Sequence, residues 1–83
     1  MIPADQVEQL IKSQLPDAQV IIQDLTGTRD HYQATIVSTS FEGLNLIKQH
    51  QLVYGSVNAA MASGDLHALT LKTFTPEEWA QQT

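Results

Sequence analysis

The sequence predicts an α+β fold in which helices cover one face of a three-stranded mixed sheet, with the element order αββααβα. Three observations carry this expectation. Val7, Leu10, Ile11 and Leu15 recur at i, i+3, i+4 and i+8, the spacing of an amphipathic helix. The β-branched run Val20-Ile21-Ile22 and the alternating Leu69 and Leu71 read as strands instead. Between these segments, Thr26-Gly27-Thr28-Arg29-Asp30 and Ser63-Gly64-Asp65 are polar breaks that contain glycine.

Taken in order, Pro3 belongs to the first turn of the first helix and Pro16 ends it. The first strand runs from Val20 to about Leu25. The second runs from His31 to Ser38, and a hairpin joins them. Thr39-Ser40-Phe41-Glu42 has the form of a capping box opening a short helix over 43–47. A longer helix follows over 49–62, with Leu52, Val53, Val57, Ala60 and Met61 on one face. Gly55 inside it costs about 1 kcal/mol relative to alanine, which suggests close packing or a bend. In the third strand Leu69 and Leu71 point one way while Ala68, Thr70 and Lys72 point the other. Thr75 then caps the last helix, Pro76 takes its first position, and Glu78 completes a second capping box. Two strands separated by helices favour a right-handed crossover, so strands two and three are expected to pair in parallel.

The chain has 83 residues, enough for a single small domain spanning 1–83. It has no cysteine, which removes disulfides, thiolate ligands and a cysteine nucleophile, and fits a reducing compartment. Nine acidic residues against four basic ones give a net charge of −5, which disfavours DNA or RNA as the main partner. Lys12, Arg29, Lys48 and Lys72 are scattered rather than clustered. No apolar run approaches the roughly 18 residues of a membrane span, and no signal peptide precedes the first helix. The expectation is a cytoplasmic protein with no membrane partner, monomeric or weakly dimeric when isolated.

The three histidines are the chemically flexible side chains. If strands two and three are parallel neighbours, His31 and His67 share one edge of the sheet, on strands about 4.8 Å apart. Neutral imidazole is a common ligand for iron and zinc. Strand parity, however, puts His67 with Leu69 and Leu71, and His31 with Gln33, Thr35 and Val37 on the other face. The turn before His31 is where that mismatch would be corrected. The plain alternative for His67 is a strand-start histidine bonded to backbone. His50 faces the core or caps the long helix. Glu77 and Glu78 serve the last helix through its dipole, and Trp79 anchors that helix against the domain. No Ser-His-Asp order, P-loop or zinc-ligand pair appears, so the chain reads as a binding module and not an enzyme. The turn Gly43-Leu44-Asn45-Leu46 lacks the second glycine of an RNA-binding GxxG loop.

Three segments together carry a family resemblance: Phe41-Glu42-Gly43, His50-Gln51-Leu52-Val53-Tyr54 and the run from His67-Ala68-Leu69 to Trp79. In order and spacing they resemble the BolA family, from about Val7 to Trp79. The resemblance implies a KH-like fold of the second type. It also implies that His67 is a ligand of an iron–sulfur cluster. Family members carry a second ligand, histidine or cysteine, in the loop between the first two strands. That loop here offers no candidate until His31 at its far end. The implied partner is a monothiol glutaredoxin, with which a glutathione-ligated [2Fe–2S] cluster is shared in cluster trafficking or iron and redox regulation. The implied alternative is a DNA-binding transcriptional regulator. Such a cluster takes four ligands, so the isolated chain, without cysteine, is expected to bind none.

Overall fold

The computed structural model describes residues 2–27 and 31–82. Within them run α1 (Ala4–Gln14), β1 (Gln19–Asp24), β2 (His31–Val37), a 3-10 turn (Thr39–Phe41), α2 (Leu46–Ser63), β3 (Ala68–Phe74) and α3 (Pro76–Gln82). The sheet order is β1-β2-β3. β1 pairs antiparallel with β2, Gln19 opposite Val37 and Asp24 opposite Tyr32. β2 pairs parallel with β3, from His31 opposite Ala68 to Val37 opposite Phe74. This is the mixed three-stranded sheet the sequence predicts.

One face of the sheet meets the helices. Tyr32, Ala34, Ile36, Leu69 and Leu71 are buried there with Val7, Ile11, Val53 and Val57 in one core cluster. Each fully buried aliphatic side chain contributes on the order of 1.5–3 kcal/mol. The α1 stripe lies inward as its spacing requires, and the Leu15 N–H donates to the Ile11 carbonyl at 2.9 Å before Pro16 stops the helix. The buried Tyr32 hydroxyl reaches past the core to the Ile2 carbonyl at 2.5 Å, tying β2 to the segment before α1.

The hairpin closes through Asp24, whose Oδ1 accepts from the N–H groups of Thr26 and Gly27 at 3.3 and 2.9 Å. Gly27 sits at φ 76°, where a side chain would be strained. The Leu25 N–H donates to the His31 carbonyl at 2.9 Å, which fixes where β2 starts. Thr28, Arg29 and Asp30 of the expected turn lie outside the described residues.

The first crossover helix, expected over 43–47, is reduced to the 3-10 turn, and the second begins earlier, at Leu46. The reason is a competing set of hydrogen bonds. The Thr39 hydroxyl and N–H both donate to Asp17 Oδ2, at 2.7 and 2.8 Å, so Thr39 cannot cap a helix. Ser38 caps the turn instead, accepting from the Ser40 N–H at 3.1 Å while donating to Asp17 Oδ1 at 2.9 Å. The Thr39 hydroxyl, then its backbone N–H, hold the Asp17 carboxyl below the ordinary aspartate value, against a smaller opposing effect of burial. Asn45 caps α2, its Oδ1 accepting from the Lys48 N–H at 2.9 Å. A Cβ added at Gly55 would meet nothing within 4 Å, so close packing does not explain that glycine.

Inside α2, Gln49 makes a polar knot beneath the apolar surface. Its Oε1 accepts from the Thr73 hydroxyl at 2.6 Å, and its Nε2 donates to the carbonyls of Leu44 and Phe41 at 2.9 and 3.4 Å. The second capping box forms as its residues predict. The Glu78 N–H donates to Thr75 Oγ1 at 3.2 Å, and the Thr75 N–H donates to Glu78 Oε1 at 2.9 Å. Trp79 then packs on Phe74 with ring centroids 5.3 Å apart.

Candidate functional site

Parallel pairing aligns the amino-terminal ends of β2 and β3, and a histidine stands at each. His31 is opposite Ala68 in the register, so His67 lies one residue before the paired segment. The two imidazoles meet with centroids 5.9 Å apart and planes at 84°, an edge-to-face contact. Sequence parity sets them on opposite faces, yet the structure brings them together. The pleat that governs Leu69 and Leu71 begins at Ala68, so His67 is free of its alternation. His31 is half-buried and His67 exposed, so the pair is reachable from solvent through His67.

Backbone contacts hold both ring-bearing positions. The His31 carbonyl is engaged by Leu25 as described. On the other strand, Leu66 is buried, and its N–H donates to the Ala60 carbonyl of α2 at 3.1 Å. Two residues beyond His67, the Leu69 carbonyl accepts from the Tyr54 hydroxyl at 2.8 Å. Neither Leu66 nor Tyr54 has a role assigned from sequence. A half-exposed tyrosine within a helix gives no periodic signal, and its partner is a backbone atom that no side-chain pattern reveals.

His50 takes a different place. It lies half-buried on α2, one residue after Gln49, and the cap expected of it is supplied by Asn45. Its Nε2 is buried with no hydrogen-bond partner among the described residues. Among those residues, no three histidine or carboxylate side chains converge as a metal site, and no pocket opens. The chemistry-bearing groups at the sheet end are therefore the two imidazoles of His31 and His67. That chemistry suits iron, and it fits a cluster with part of its four ligands. Nucleic-acid features are thin. Lys12 is paired with Glu8 at 3.1 Å, while Lys48 and Lys72 stand exposed on separate elements. No described helix is long and apolar enough to cross a membrane.

The family model described as BolA-like protein matches residues 8–78. The chain belongs to the BolA family. It is 35% identical over 57 residues to the acid stress protein IbaG of Escherichia coli K12, covering 69% of this chain and 68% of that one. It is 38% identical over 56 residues to the Haemophilus influenzae protein named DNA-binding transcriptional regulator BolA, covering 68% of this chain and 53% of that one. Among solved structures, a BolA homologue from Coxiella burnetii superposes with a TM-score of 0.82 at 33% identity, covering 96% and 99% of the two chains. The BolA domain of SufE1 from Arabidopsis thaliana superposes with a TM-score of 0.80 at 26% identity, covering 94% and 99%. The match confirms the BolA resemblance read from Val7 to Trp79 and the α+β fold it implies.

Proposed function

We propose that this chain is an adaptor, not an enzyme, that binds a monothiol glutaredoxin and contributes histidine to a glutathione-ligated [2Fe–2S] cluster shared with it. Iron–sulfur trafficking or iron and redox regulation is the setting. The observation that carries the reading is the contact of His31 and His67, 5.9 Å apart at one end of the sheet. The likeness to the BolA domain of SufE1 is in keeping with an iron–sulfur setting.

The division of labour follows from exposure. His67 projects where a partner surface can approach and is the principal donor; His31, half-buried beside it, is the second donor or orients the first. With no cysteine in the chain, the thiolates come from the glutaredoxin and glutathione. When bound, the cluster supplies redox-active iron, and a histidine in place of a thiolate raises its potential. The chain by itself is expected to reconstitute no cluster.

Mixing the protein with cluster-loaded monothiol glutaredoxin should give, near one-to-one stoichiometry, an absorption and circular-dichroism spectrum distinct from that of the all-thiolate glutaredoxin homodimer. His67→Ala should abolish or greatly weaken this change, and His31→Ala should have a smaller effect. An unchanged heterocomplex spectrum with His67→Ala overturns the ligand assignment.

The alternative, a DNA-binding transcriptional regulator, is favoured by the name of the Haemophilus influenzae relative. The net charge of −5 and the scattered lysines weigh against it. Gel-shift titration at several salt concentrations decides: submicromolar, sequence-selective binding with a steep salt slope establishes the alternative.

A further inference from the structure

We propose that Tyr54 is the positioning residue for His67, holding its imidazole beside His31 through a hydroxyl anchor on the backbone of β3. The inference rests on the reading of His67 as a donor and names the device that orients it.

β3 is an edge strand with β2 on one side only. The Ser38 N–H donates to the Phe74 carbonyl at 3.1 Å, and Phe74 is opposite Val37. In a parallel ladder this alternation turns the backbone of Ala68, Thr70, Lys72 and Phe74 towards β2. The N–H and C=O groups of Leu69, Leu71 and Thr73 therefore face outward. The hydroxyl of Tyr54 meets the first of these outward carbonyls, that of Leu69, at 2.8 Å.

The location of that bond matters more than its strength. Residues 66–69 are tied to α2 at both ends, by Leu66 N–H on the Ala60 carbonyl and by Tyr54 on Leu69, with His67 between the two ties. His67 is exposed, so core packing does not set the direction of its ring. The two backbone ties fix where its Cα stands, and with it how its ring meets that of His31. The end of an edge strand opens readily on its own, and an imidazole donor needs its position fixed within a fraction of an ångström to be preorganised. Tyr54 is itself 37% exposed. Water can replace its hydroxyl on the Leu69 carbonyl, so removing the hydroxyl costs the fold little while loosening the segment that carries His67.

The test uses Tyr54→Phe in the full chain, with two readouts. In the protein alone, nuclear Overhauser contacts between the His31 and His67 rings should be lost or clearly weakened, and the Ala68–Thr70 amides should exchange faster. The contacts of α1 with β1 should not change. In the presence of [2Fe–2S]-loaded monothiol glutaredoxin, heterocomplex affinity should fall about fivefold, the equivalent of one neutral hydrogen bond of roughly 1 kcal/mol. Ring contacts that persist unchanged in Tyr54→Phe overturn the proposal, whatever the heterocomplex does. A wild-type protein that forms no heterocomplex instead defeats the adaptor reading and leaves the ring contacts to decide the role of Tyr54. Should Tyr54→Phe not fold, Tyr54→Met covers the same surface without a donor and is read in the same way.

Discussion

Removing one bond of the Gln49 knot should cost more than removing the knot entirely would suggest. Gln49 is 8% and Thr73 9% exposed, so neither side chain has water to fall back on. Thr73→Val keeps the shape and deletes the donor at 2.6 Å, leaving Gln49 Oε1 bare. One unsatisfied buried acceptor costs about 1–3 kcal/mol, and a single-mutant loss near 1.5 kcal/mol is expected. Gln49→Leu strands the Thr73 hydroxyl and the Leu44 carbonyl together, partly offset by the added apolar burial, so about 3 kcal/mol is expected. In the double variant, valine and leucine meet as apolar neighbours and no Thr73 hydroxyl remains to satisfy. Only the Leu44 carbonyl is then left bare, so the double variant's loss should be about 1.5 kcal/mol, a coupling of ~3 kcal/mol between the two positions. Urea unfolding of the four proteins, read at equal m, measures that coupling. Losses that add within ~0.3 kcal/mol would show that the bond contributes nothing particular, and the argument would fail.

Three further outcomes follow from the same hydrogen bonds. His50→Leu removes a buried nitrogen that has no partner among the described residues, so thermal denaturation should find the variant unchanged or stabilised by up to ~1 kcal/mol. Asp17 has its folded pKa depressed by Thr39, so its contribution is complete above the ordinary aspartate value and is lost as pH falls through the depressed one. Stability measured from about pH 5 down to about pH 2 should decline less steeply in Asp17→Asn than in the wild type. Thr75→Ala removes half of the last capping box and should cost about 1 kcal/mol, with faster amide exchange confined to α3.

What the sequence conveyed was what repeats or is local. The Val7–Leu15 stripe, the β-branched start of β1, the alternation of Leu69 and Leu71 and the Thr75–Glu78 box are each decided by neighbours within one or two turns, and the structure agrees with each. The misreadings occur where a distant residue intervenes. Thr39 looks like a helix cap until Asp17, 22 positions away, takes its hydroxyl. Asn45 then caps a helix that periodicity alone started later. The parity conflict between His31 and His67 arose from extending the pleat one residue too far. The Gln49 knot and the Tyr54 anchor were invisible because their partners are backbone carbonyls and a threonine on another element.

The crossover connection has a consequence for how the histidine end comes into being. The two rings belong to residues 36 positions apart (67 − 31), joined only through α2 and the parallel pairing of β2 with β3. Closing a loop of that length carries an entropic cost of ~3 kcal/mol, which the local β1–β2 hairpin does nothing to repay. The histidine pair is thus a product of the slow, non-local step of folding. A chain whose β3 has peeled away keeps a helix and a hairpin but has no paired imidazoles. Contact between the two rings therefore reports on the integrity of the whole sheet.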